Sequence, residues 1–104
     1  MYRILFAEDD ETTRLVIAGY LRESGLEVVD VPDGSDALDV LKTDGNFDLI
    51  LSDIEMPQVE GHILLKRVEE LFPSMKRVLL TGHSIERYLG IAMQFGISNV
   101  ITKT

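Results

Sequence analysis

Glu8, Asp9 and Asp10 stand together near the start of the chain, Asp53 stands alone near its middle, and Thr81 and Lys103 follow towards its end. Each lies at the C-terminal side of a short apolar run: Ile4-Leu5-Phe6-Ala7, Leu49-Ile50-Leu51-Ser52, Val78-Leu79-Leu80 and Val100-Ile101-Thr102. Carboxylates, a hydroxyl and an ammonium gathered at one point suit a hard divalent cation and a phosphoryl group. Asp53 is then the candidate nucleophile, since a carboxylate takes a phosphoryl group as an acyl phosphate. Mg2+, the Lys103 ammonium and the Thr81 hydroxyl would each hold one phosphoryl oxygen.

That chemistry needs elements that bring distant residues together. Apolar runs of about four residues, separated by helix-like stretches, read as buried parallel strands. Parallel strands point their C-terminal ends to one edge of the sheet, where open α/β folds bind ligands. Between the strands, Glu11 to Ser24 carries Val16 with Tyr20 and Ile17 with Leu21 at helical spacing, and Gly25 stops it. Val28, Val29 and Val31 form a second strand, and Ser35 to Leu41 a short helix with Ala37, Leu38 and Leu41 on one side. Phe47 to Ser52 is the third strand. Gly61 to Phe72 places Leu64, Leu65, Val68 and Leu71 on one stripe, with Pro73 as breaker. Arg77 to Leu80 is the fourth strand, Ser84 to Gln94 a helix lining up Ile85, Leu89 and Met93, and Asn99 to Thr102 the fifth strand. Gly90 inside that helix costs about 1 kcal/mol relative to Ala, which makes it the softest of the set. Right-handed crossovers then give a doubly wound five-stranded parallel sheet in an α/β domain.

Composition sets limits. A chain of 104 residues makes one domain, residues 1–104, with room for a real core. Its net charge of -8 disfavours generalised binding to nucleic acid or to an anionic membrane. The absence of Cys excludes a disulfide framework and a thiolate metal site. Met1-Tyr2-Arg3 runs straight into a strand, unlike a signal peptide, and no apolar run approaches the roughly 20 residues that span a bilayer. A cytoplasmic location is the expectation.

The acidic residues also have a plainer reading, since helix N-termini favour negative charge. It serves well for Asp10 and Glu11. Glu8 and Asp9 directly end an apolar strand, and Asp53 ends another, so the same edge collects carboxylates that repel one another unless a cation joins them. His62 and an isolated His83 read as solvated surface residues, Met56, Met75 and Met93 as core filler, and Glu69, Glu70 and Arg67 as a solvated helix face.

With those residues in place, the chain resembles the receiver domain of bacterial two-component response regulators over nearly its whole length. Ile4-Leu5-Phe6-Ala7-Glu8-Asp9-Asp10 with Arg14 is similar to the family's first strand and acidic pair, and Asp53-Ile54-Glu55-Met56-Pro57 with Glu60-Gly61 to its phosphorylation-site signature. Leu79-Leu80-Thr81-Gly82 and Ile101-Thr102-Lys103 resemble its switch and lysine segments. The resemblance implies a flavodoxin-like sheet of order 2-1-3-4-5, Asp53 as phosphoacceptor, and Mg2+ held by Asp9, Asp53, the backbone carbonyl of Glu55 and, through water, Glu8. It implies Thr81 and Lys103 as phosphoryl-binding switch residues, and Glu55 and His83 as residues that tune hydrolysis. A histidine kinase or phosphotransfer protein is the implied donor, and a downstream protein or output domain the reader of the altered surface. Such a module modifies only itself and is not an enzyme acting on other substrates.

Three departures shape these expectations. The family's Lys-Pro is here Lys103-Thr104, and a cis bond before a non-proline costs about 2.5–4 kcal/mol, so a trans bond is expected. Val100 stands where many members carry an aromatic switch residue, which moves the readout to packing around Thr81 and the Ser84 to Gln94 helix. The final helix of the family is absent after the fifth strand, which suggests a piece of a longer regulator, or a homodimer formed through the fourth and fifth strands. Two other functions share part of the pattern: a pseudo-receiver that binds partners without phosphorylation, and a Mg2+-dependent phosphatase with an aspartyl nucleophile. The phosphatase family expects that nucleophile after the first strand with an Asp two residues on, where this chain has Asp53 after the third strand and Glu55 at plus two.

Overall fold

The computed structural model describes residues 1–53, 61–81 and 99–102. The order along the chain is β1 (Arg3–Ala7), α1 (Glu11–Glu23), β2 (Glu27–Val31), α2 (Gly34–Thr43), β3 (Leu49–Asp53), α3 (Gly61–Leu71), β4 (Lys76–Thr81) and β5 (Asn99–Thr102). All five strands are parallel and lie in the order β2-β1-β3-β4-β5. This is the flavodoxin-like doubly wound sheet. The expected Ser84 to Gln94 helix lies outside the described residues.

The strands are apolar because both faces of the sheet are covered. Leu5, Ala7, Ile50 and Leu79 pack with Ala37 and Leu41 of α2 and Leu64, Leu65 and Val68 of α3. Their neighbours Ile4, Phe6, Leu51, Val78 and Leu80 turn to the other face, against Ala18, Ile17 and Leu21 of α1. The period-2 alternation of β1, β3 and β4 thus feeds two separate apolar layers. Met75 joins the first layer as core filler.

Helix ends follow local chemistry. The Asp10 side chain accepts from the Thr13 N–H at 2.8 Å and the Thr13 hydroxyl at 2.6 Å, capping α1. Asp33 caps α2 through the Asp36 N–H at 2.8 Å. Gly25 takes φ 91° after the Ser24 C-cap, a left-handed turn that a Cβ would strain.

Two packing expectations need correction. Val16 and Tyr20 are exposed, and α1 turns Ile17, Ala18 and Leu21 to the sheet instead. Both pairs satisfy a four-residue spacing, so spacing alone does not choose the buried face. Leu71 is exposed, because α3 ends there and Phe72 folds back on the core beside Val68. The helix stops two residues before Pro73, as the restriction on the residue preceding proline favours. Phe47 is buried but precedes β3, which runs one residue further than expected to include Asp53.

At the N-terminal edge of the sheet Arg3 ties four segments together. Its guanidinium pairs with Glu27, meets Asp44 at 2.9 Å, donates to the Asn46 carbonyl at 2.7 Å and lies 4.4 Å from the centre of the Phe47 ring. Its backbone N–H donates to Asp48 Oδ2 at 2.7 Å. The Arg3 hydrogen bond, helped by the Asn46 N–H, holds the Asp44 carboxyl below its ordinary value of 3.8. Among the described residues no helix is long and apolar enough to cross a membrane.

Leu79 is fully buried in the first layer, and Leu79→Ala is expected to lower unfolding free energy by about 2–5 kcal/mol in urea titration. Because the Asp44 value is depressed in the folded state, its stabilisation is present above pH ~4 and is lost as pH falls through the folded value. The stability difference between the parent and Asp44→Asn should therefore be constant above about pH 5 and shrink below about pH 4, as read by chemical denaturation across that range.

Candidate functional site: an acidic cluster at the sheet edge

Register alone brings the first two carboxylates together. β1 and β3 are adjacent, with Ala7 opposite Ser52, so the next residue on each, Glu8 and Asp53, emerge side by side at strand separation. The Glu8 N–H still donates to the Val31 carbonyl at 3.0 Å, extending the β1–β2 ladder by one residue. Glu8 is fully buried, Asp53 is 6% exposed and Asp9 is open to solvent. Glu8, Asp9 and Asp53 each present a carboxylate oxygen within 4.8 Å of the other two.

The backbone around them is held closely. Glu8 Oε2 accepts from the Asp10 N–H at 3.2 Å, and Asp10 is committed to capping α1. The plain reading of Asp10 thus holds, while Glu8 and Asp9 belong to the cluster. The Ser52 hydroxyl donates to the Asp53 carbonyl at 2.9 Å inside the core. Arg14 Nη1 donates to the Glu8 carbonyl at 3.0 Å.

Thr81 ends β4 one residue beyond Leu80, the register partner of Asp53, so its backbone reaches the same edge. It pairs in turn with Thr102 at the end of β5, and Lys103 is the next residue along the chain. Lys103, Glu55 and His83 lie outside the described residues, as do Met56, Met93 and the Lys103-Thr104 bond.

The donor set fits Mg2+. It offers oxygens only, which hard cations prefer. Neighbouring octahedral ligands at about 2.1 Å from Mg2+ lie roughly 3 Å apart, so the three oxygens, all within 4.8 Å of one another, would draw together around the ion. Two of the three carboxylates are buried, where unneutralised charge is costly and a bound cation would offset their repulsion. The sequence pattern places Arg14 beside the first acidic motif but assigns it no contact, and does not single out Asp30, which Arg14 meets at 3.3 Å. The available signal was an Arg four residues after the capping Asp10, which returns it over the helix start.

A parallel five-stranded sheet of this order, with carboxylates from β1 and β3 meeting at its C-terminal edge, defines a receiver-type α/β protein. The family model for the response regulator receiver domain matches residues 4–104, and the chain belongs to that family. It is 37% identical over 82 residues to the response regulator receiver protein CpdR of Brucella abortus, covering 79% of this chain and 68% of that one. It is 35% identical over 86 residues to the autoinducer 1 sensor kinase/phosphatase LuxN of Vibrio harveyi, covering 83% of this chain. The chain spans only 10% of LuxN's length. Among solved structures, chemotaxis protein CheY4 of Vibrio cholerae superposes with a TM-score of 0.92 at 25% identity, over 99% of this chain and 87% of that one. Response regulator TrrA of Thermotoga maritima, in complex with Mg2+–BeF, gives 0.90 at 28% identity over 100% of this chain and 88% of that one. The chain is thus a receiver domain of two-component signalling, a family in which phosphorylation and Mg2+ are typical.

Proposed function

We propose that this chain is a phosphoacceptor switch that takes a phosphoryl group onto Asp53. The observation that carries this reading is the meeting of Glu8, Asp9 and Asp53, two of them buried, at one point of the sheet edge. An Asp53 carboxylate oxygen attacks phosphorus, the bond from phosphorus to the donor's histidine nitrogen breaks, and its electron pair leaves with the imidazole. The product is an acyl phosphate on Asp53. Mg2+, when held by Asp9, Asp53, the Glu55 carbonyl and, through water, Glu8, would neutralise charge on the phosphoryl oxygens. Thr81, at the end of β4, and Lys103, following β5, are assigned the remaining phosphoryl contacts, and Glu55 and His83 the tuning of hydrolysis.

The implied donor is a histidine kinase or phosphotransfer protein, a reading supported by the sensor kinase/phosphatase LuxN among the relatives. TrrA's complex with Mg2+–BeF supports Mg2+ as the cation. A downstream protein or an output domain would read the changed surface near Thr81.

Incubation with acetyl phosphate and Mg2+, followed by intact-mass measurement, tests the reading. A gain of about 80 Da, absent without Mg2+ and absent in Asp53→Asn, is the expected result. A folded sample that gains no mass would contradict it in favour of a pseudo-receiver.

A further inference from the structure

Arg14 lies one turn into α1 and reaches out of the helix in two directions. Nη1 donates to the Glu8 carbonyl at 3.0 Å, and Nε meets Asp30 Oδ2 at 3.3 Å. The other Asp30 oxygen is held by Arg22 Nη2 at 2.7 Å, and Arg22 Nη2 also donates to the Val28 carbonyl at 3.0 Å. Asp30 therefore joins two arginines of α1 to β2, and only Arg14 continues to the acidic cluster. The Glu8 carbonyl is one end of the Glu8–Asp9 peptide. With the Glu8 N–H fixed to Val31, the Arg14 bond sets the plane from which the Asp9 side chain departs.

We propose that Arg14 is a positioning residue for the acidic cluster: its guanidinium fixes the Glu8–Asp9 peptide so that Asp9 faces the point it shares with Glu8 and Asp53. Asp30 keeps the guanidinium aimed through its Oδ2, while its other oxygen serves Arg22 separately. The inference rests on the proposed reading of that cluster as a Mg2+ site. It makes an unusual demand on sign. A cationic side chain near a cation site opposes binding by charge alone, so its removal would tighten Mg2+ through Coulomb effects. Loss of positioning works the other way.

The test is titration of the unphosphorylated protein with MgCl2, followed by the amide NMR shifts of Glu8, Asp9 and Asp53. Arg14→Ala is expected to weaken Mg2+ binding by about tenfold, the scale of lost support behind a metal ligand. Arg14→Lys keeps the charge, but a single ammonium cannot replace the two-directional fork, and it should bind nearly as weakly. Arg22→Ala, which loosens the same α1–β2 clamp without touching Glu8, should stay within about twofold of the parent. Equal or tighter Mg2+ binding by Arg14→Ala, or parental binding by Arg14→Lys, would overturn the role. Equal weakening by Arg22→Ala would reduce Arg14 to a general clamp and overturn it too. A parent that binds no Mg2+ would sink the functional reading, and this inference with it.

Discussion

Two carboxylates that register forces together are the constraint on which the rest of this structure depends. β1 and β3 are neighbours with Ala7 opposite Ser52, and neither strand can slip by one residue without turning its apolar side chains to the wrong layer. Glu8 and Asp53 must then emerge together, under cover of the sheet edge, with Asp9 beside them. Like charges so placed repel one another, and positive charge brought to that point offsets the repulsion.

At the N-terminal edge of the sheet, acidic residues are matched: Arg3 gathers Glu27, Asp44 and the Asn46 carbonyl while lying over Phe47. At the C-terminal edge Arg14 makes its contacts with the Glu8 carbonyl and with Asp30. It steadies the backbone there and leaves the carboxylate oxygens of Glu8, Asp9 and Asp53 facing one another. Ser52 and Asp10 do similar work, one binding the Asp53 carbonyl and the other capping α1. The anionic point is thus rigidly framed.

Much of this was legible in the residues. Strand ends at Ala7, Ser52 and Leu80 follow from short apolar runs closed by polar groups, the last two of these strands running one residue further to Asp53 and Thr81, and parallel pairing made their convergence a matter of topology. The plain role of Asp10 could be read from its place before α1. The buried face of α1 could not, because Val16 with Tyr20 and Ile17 with Leu21 obey the same spacing and only packing against β1 and β2 separates them. Leu71 misled for a related reason: it sits on the Leu64–Val68 stripe, but the helix ends before the stripe is covered, and Phe72 takes the core position. Arg14 and Asp30 were hidden because their contact joins α1 to β2 through side-chain reach, which no periodicity encodes.

The most direct test of the account is the unfolding midpoint of the parent and of Asp53→Asn, each with and without Mg2+. Adding Mg2+ should raise the parent midpoint and barely move the variant. Equal gains in both proteins would show that Asp53 is not part of the cation's site.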